Sequence, residues 1–191
     1  MDVVLPELPV LYNYDVDRDD DSGLLIAKGG NGPDEPDDTK RQHWVTPPFL
    51  EGAVIEGDAT VELWSGMKNF GAGLGGVVTV YLRDCDGWDC VELGSDTLTD
   101  ENWQGGSNFW RLKTFSVPVG TYTLAPGRSL ELVVVVDASS DDDMWFAYDM
   151  SPYRSRVTMS ASASSLTGSE AALPGLVTRW LTGNWARRLF A

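Results

Sequence analysis

Ala59-Thr60-Val61-Glu62-Leu63-Trp64-Ser65-Gly66-Met67 is the stretch that decides the fold. Ala59, Val61, Leu63 and Ser65 fall on one side of an extended chain, and Thr60, Glu62 and Trp64 fall on the other. That is the two-residue period of a half-buried β-strand. Segments of the same kind recur at intervals of about ten to fifteen residues, bounded by Gly, Pro, Asp and Asn. The expected strands are 42–46, 53–55, 59–67, 77–84, 91–99, 110–117, 122–124, 129–137, 144–149 and 156–160, with a short one at 24–27. Segments 77–82 and 130–136 are almost solidly apolar, which suits central strands covered on both faces. Two packed antiparallel sheets are the simplest way to bury so many short strands, so the expected fold is all-β, a jelly-roll β-sandwich.

The chain has 191 residues, 42% of them apolar, enough to bury roughly 70% of its unfolded surface around one core. Its organisation reads as an acidic, turn-rich arm over 1–42, a sandwich over 43–160, and a small-residue linker with an amphipathic, helix-spaced segment over 161–191. Leu173, Leu176, Val177, Trp180, Leu181, Trp185 and Leu189 form the apolar stripe of that segment. Residues 166–191 carry a charge of +2 and the remainder −17. The stripe is expected either to dock on its own sandwich or to support self-association with another subunit, membrane contact being the weakest use of three arginines.

Fourteen Lys and Arg against 29 Asp and Glu give a net charge of −15, which repels phosphate backbones and argues against nucleic acid as a partner. His43 is the single histidine, so a nucleophile–His–acid triad would have to be built on it, and no activating motif accompanies it. The sequence therefore reads as no enzyme. No run approaches the roughly 18 apolar residues that span a bilayer. Met1 is followed by Asp2 without a basic segment, which reads as no signal peptide: either the chain stays in the cell or a leader has been removed.

Cys85 and Cys90 bracket a tight-turn segment, Asp86-Gly87-Trp88-Asp89. Their spacing suits a short-loop disulfide and an oxidising compartment, with two free thiols as the alternative. Zinc is poorly supported, because two thiolates without a second pair or a nearby His leave a tetrahedron half empty. Asp15, Asp17, Asp19 and Asp21 place carboxylates at alternate positions of a loop beside Gly23, the donor set of a calcium ion; a solvated acidic loop is the alternative. Asp141-Asp142-Asp143 repel one another unless a cation or arginine relieves them. Asp141 and Asp143 could share an ion with the Asp15 loop or remain solvated. Trp64, Trp110, Trp145 and Phe146 lie in strand patterns and read as core. Trp88 and Trp103 lie in turns beside amide and carboxylate groups, where a ring can stack on a sugar or pack over its own loop.

The run Leu124-Ala125-Pro126-Gly127-Arg128-Ser129-Leu130-Glu131-Leu132-Val133, after Pro48-Phe49-Leu50 and Val61-Glu62-Leu63-Trp64, resembles the galactose-binding-like jelly-roll modules. These occur as carbohydrate-binding domains and as the C-terminal domain of X-prolyl dipeptidyl peptidase and cocaine esterase-like hydrolases. The resemblance covers about residues 44–160. It implies a structural calcium, a loop-borne ligand site, and an accessory rather than catalytic role. The opening run 11–19 and the closing run 142–149 also resemble an uncharacterised module of bacterial secreted and surface proteins, which implies export. Together these readings give a non-catalytic extracellular module, stabilised by calcium, that binds a glycan or a neighbouring surface protein through Trp88 and Trp103. The alternative is a structural subunit of a filament, coat or shell, joined through the N-terminal arm or the C-terminal segment.

Overall fold

A computed structural model of the chain describes residues 2–4, 23–69, 73–103, 109–147 and 153–163. All ten elements among them are β-strands: β1 (Asp2–Val4), β2 (Gly23–Ile26), β3 (Arg41–Val45), β4 (Ala53–Met67), β5 (Gly76–Asp86), β6 (Asp89–Asp100), β7 (Arg111–Leu124), β8 (Ser129–Val136), β9 (Met144–Ala147) and β10 (Arg156–Ala163). They form two antiparallel sheets, a β-sandwich. The first runs β1-β10-β4-β9-β2, with β7 on the other side of β4; the second runs β3-β8-β5-β6. No helix of the described residues is long and apolar enough to cross a membrane. The C-terminal amphipathic segment lies outside the described residues.

The alternation in β4 does what its pattern demands. Ala59, Val61, Leu63 and Ser65 are buried between the sheets, while Thr60, Glu62 and Trp64 face outward and are half-buried. The facing layer is Val78, Val80 and Leu82 of β5 with Leu130, Leu132, Val134 and Val136 of β8. Each such side chain, fully withdrawn from water, contributes about 1.5–3 kcal/mol. Phe146 joins this core. Trp110, Trp145 and Ala147 form a second apolar cluster with Leu25, Trp64, Phe109 and Tyr153. In it the Trp64 and Tyr153 rings meet edge-on at 5.1 Å.

Two pairs of expected strands prove to be single bent ones. Segments 53–55 and 59–67 join as β4, and 110–117 and 122–124 join as β7, through a register shift at Gly57/Asp58 opposite Gly120 and Pro118. Gly57 and Gly120 face each other with φ of 77° and 70°, a left-handed backbone that bends both strands without ending them. Pro118 is tolerated because it sits at this bulge, on a strand whose ladder among the described residues pairs with β4 alone.

The expected arm is the larger departure. Residues 23–42 belong to the body: β2 pairs with β9, and Leu24 and Ile26 are buried in the core. The turn that follows lies on the outer face of β8, where Gly29 and Gly30 donate their amides to the Val136 carbonyl at 3.0 and 3.1 Å. That cover lies against the outward-facing Val135, and all eight residues of β8 are buried. The acidic run in this turn folds on itself: Glu35 is buried and accepts the amides of Asn31 and Asp37.

Candidate functional site: the β5–β6 hairpin and the charged face beside it

Cys85 and Cys90 are directly opposite one another on β5 and β6 and are joined as a disulfide, as their spacing suggests. Between them Asp86 pairs with Asp89, leaving Gly87-Trp88 as a two-residue turn. Gly87 takes φ of 61°, the left-handed value that such tight hairpin turns require at their first position. The consequence is a braced tip that projects Trp88 into solvent with 98% of its surface exposed. Asp86, Gly87 and Asp89 beside it are exposed as well.

Under the tip sits a buried charge pair. Asp84 is 3% exposed; it accepts hydrogen bonds from Tyr122 Oη at 2.6 Å and from Arg128 Nε at 2.7 Å. Arg128 also reaches the Asp84 carbonyl, at 3.2 Å, and Asp86, at 3.6 Å. The hydrogen bond to Asp84 raises the pKa of both Tyr122 and Arg128, so both stay protonated at neutral pH. The Pro126-Gly127 turn therefore delivers its next residue, Arg128, to the hairpin and ties β8 to β5.

The outward face of the second sheet holds a second group of charges. Glu131, in the apolar strand β8, is almost wholly buried. Its Oε1 accepts from His43 Nδ1 at 2.6 Å, and its Oε2 lies 3.2 Å from Arg83 Nη1. Arg83 is also paired with Asp34 at 3.0 Å. The same Oε2 is 3.5 Å from Cys85 Sγ, a sulfur that carries no proton in the disulfide. Cys85, Cys90 and Glu131 can each bring a ligand atom within 4.8 Å of the other two. The sequence reading missed this group. His43 and Glu131 are 88 residues apart, and their only local signal is a lone acid set among Leu130, Leu132 and Val133.

Trp103 does not share the exposure of Trp88, and its reading as a ligand platform is corrected. It is 1% exposed, with its indole N–H donated to Ser65 Oγ at 2.9 Å and its backbone N–H to the Leu74 carbonyl at 2.9 Å. A Cβ on Gly76 would come within 2.7 Å of the ring, so the glycine makes its seat. The Lys113 ammonium lies 4.6 Å above the ring. Trp103 is a core residue reached from a turn.

The acidic run at the opposite end of β5 is relieved by protein donors. Asp141 accepts the Gly75 amide at 2.6 Å, and Asp142 accepts the Asn69 amide at 2.8 Å. Asp143 accepts the Lys28 amide at 3.1 Å and Lys68 Nζ at 2.8 Å. Burial alone would push the Asp143 carboxyl up, but the Lys68 and Lys28 contacts outweigh it and hold it below its usual range. The amides of Gly75, Asn69 and Lys28 and the Lys68 ammonium thus take up part of the acceptor capacity of Asp141, Asp142 and Asp143. Asp15, Asp17, Asp19 and Asp21 lie outside the described residues, as does the 166–191 segment.

No family model and no curated protein matches the chain. Solved structures do. An aminopeptidase from a marine sediment archaeon, Thaumarchaeota archaeon, aligns over 85% of this chain with a TM-score of 0.64 and 10% identity. An α-amino acid ester hydrolase aligns over 65% with a TM-score of 0.53 and 15% identity. A CocE/NonD family hydrolase from Staphylococcus aureus aligns over 74% with a TM-score of 0.50 and 10% identity. The chain spans only 36%, 26% and 33% of those three proteins. At such identities the likeness shows the fold, a β-sandwich of a kind found within hydrolase chains, and nothing of activity.

Proposed function

We propose that this chain is a non-catalytic, extracellular binding module that captures a carbohydrate polymer at the tip of the β5–β6 hairpin. The observation that carries the proposal is Trp88, 98% exposed on a turn closed by a disulfide. Leaving an indole in water is unfavourable for folding, and bracing the turn removes the conformational cost of ordering it on binding. An indole face stacks on the C–H face of a sugar ring, and the carboxylates of Asp86 and Asp89 beside it can accept hydrogen bonds from sugar hydroxyls. The Arg128–Asp84–Tyr122 group holds the base of the hairpin and has no nucleophile or free base for catalysis. Placement outside the cell rests on the disulfide, which persists in oxidising compartments. The galactose-binding-like resemblance and the hydrolase-associated fold support an accessory role. A structural calcium is part of this reading, held by the loop of Asp15, Asp17, Asp19 and Asp21, with Asp141 and Asp143 as further carboxylate ligands.

Native electrophoresis in gels containing soluble polysaccharides tests this reading. The expected result is retardation by at least one polysaccharide and loss of that retardation in Trp88→Ala, a change of tenfold or more in Kd corresponding to about 1.4 kcal/mol. A wild-type chain that no polysaccharide retards, or a Trp88→Ala chain retarded as strongly as wild type, overturns it. For the calcium, the melting temperature should be higher in calcium than in chelator, and Asp17→Ala should remove the difference. Equal melts would dismiss the ion.

A further inference from the structure

We propose that reduction of the Cys85–Cys90 disulfide converts this corner of the second sheet into a Zn²⁺ site, with Cys85 Sγ, Cys90 Sγ and Glu131 Oε2 as protein ligands and water in the fourth position. The sequence offered only two sulfurs; the fold supplies the missing oxygen. The three donor groups already lie within 4.8 Å of one another, and Oε2 is the Glu131 oxygen that faces the sulfur, at 3.5 Å. Two thiolates, a carboxylate and one open position make a tetrahedral set suited to zinc rather than to the hard cations.

The surroundings are arranged to hold such a site. Glu131 Oε1 is fixed by His43 Nδ1 at 2.6 Å, the kind of outer contact that orients a metal ligand. Arg83, 3.2 Å from Oε2, is the natural competitor for that oxygen, but Asp34 holds its other nitrogen at 3.0 Å, so it can yield without losing its partner. With zinc bound, the ion offsets two of the three negative charges of the thiolates and Glu131, and Arg83 stays beside Glu131 and Asp34. Entry is from the side of Cys90, which is only half-buried beside the exposed Asp89. Cys85 and Cys90 are held opposite each other by the β5–β6 ladder, which continues to Gly76 and Asp100. The thiols therefore stay neighbours after the S–S bond is cut.

The chemistry balances with a dithiol as reductant. The S–S bond takes up two electrons and two protons from the dithiol, which closes to its own disulfide. Zn²⁺ then displaces both thiol protons to solvent. The site neither needs nor excludes the glycan reading of Trp88.

Titration of the whole chain with Zn²⁺ and with Co²⁺, oxidised and after reduction and removal of the reductant, tests the inference. The reduced chain should bind one equivalent and give tetrahedral Co²⁺ bands with sulfur-to-cobalt charge transfer, and the oxidised chain should bind none. Glu131→Gln should weaken Zn²⁺ binding about a hundredfold, and His43→Ala about tenfold through loss of ligand orientation. Folding of each variant is checked by its circular dichroism. A Zn²⁺ affinity that is unchanged in Glu131→Gln would overturn the assignment. So would a reduced chain that takes up no metal, or one that unfolds on reduction, since the site requires the intact hairpin.

Discussion

Trp88 and Trp103 come from similar turn sequences, yet the fold puts one in water and the other in the core, so replacing each by alanine should separate them cleanly. At 98% exposure Trp88 contributes almost nothing to burial, and Trp88→Ala should change stability by less than about 0.5 kcal/mol. Trp103 is 1% exposed and seated against Gly76. Its removal opens a ring-sized cavity, which for Trp→Ala costs about 3–5 kcal/mol. It also leaves the Ser65 hydroxyl without the indole N–H it accepts at 2.9 Å. For a chain of this size each kcal/mol moves Tm by about 2–4 °C, so Trp103→Ala should melt about 6–20 °C below wild type and Trp88→Ala within about 2 °C of it. Circular dichroism melts at one scan rate measure both. In parallel, acrylamide quenching of the reddest part of the emission should fall in Trp88→Ala and persist in Trp103→Ala. Comparable Tm losses in the two variants would refute the argument that the hairpin tip is free of packing duties.

Three further outcomes follow from the same contacts. Replacing both cysteines by serine reopens a six-residue loop, and its closure entropy sets a loss of about 2 kcal/mol in chemical denaturation; no loss would mean that the turn alone holds the hairpin. Asp84→Ala strands Arg128 and the Tyr122 hydroxyl beneath the tip and should cost about 2–3 kcal/mol, read by the same denaturation series, with Arg128 partly relieved by solvent. Asp100, Asp137 and Asp143 have carboxyls held below their ordinary pKa, chiefly by Lys113, by Ser139 and, against burial, by Lys68. Their folded pKa lies below the unfolded one, so their contribution is complete above the unfolded value near 4 and is lost as pH falls through the folded values. Tm should therefore be flat from about pH 5 to 7 and drop below about pH 4; a drop already at pH 6 would point to another group.

The parts of the fold that were legible in the sequence are those set by short-range periodicity. Alternation located every strand from 42 onward, the solid runs marked β5 and β8 as central, and the Cys85–Cys90 spacing gave the disulfide. What failed was anything decided at a distance. Gly57 and Pro118 read locally as strand ends, but facing each other across a ladder they only bend it. Residues 23–42 look like an acidic arm because Gly, Asp and Pro dominate them, yet Leu24, Ile26 and the backbone amides of Gly29 and Gly30 attach them to both sheets. Trp103 was misread because the glycine that accepts its ring, Gly76, lies 27 positions earlier and has no local mark of that role.

The hairpin also links the two proposals in a way that keeps them separable. Cys85 and Cys90 close the turn that displays Trp88, and the same sulfurs face Glu131 on the neighbouring strand. If zinc replaces the disulfide as the brace, the tip remains ordered in both redox states and only the reduced, metal-free chain has a loose turn. Trp88-dependent binding should then be strong in the oxidised chain, weak after reduction, and restored by zinc. Glu131→Gln distinguishes the contributions, because it leaves Trp88 and the S–S bond in place and changes only the carboxylate beside Cys85: it should leave binding by the oxidised chain intact while abolishing the restoration by zinc. Restoration that survives Glu131→Gln would mean that the two thiols alone rebuild the turn, and that the buried carboxylate serves only its ion pair with Arg83 and its hydrogen bond from His43.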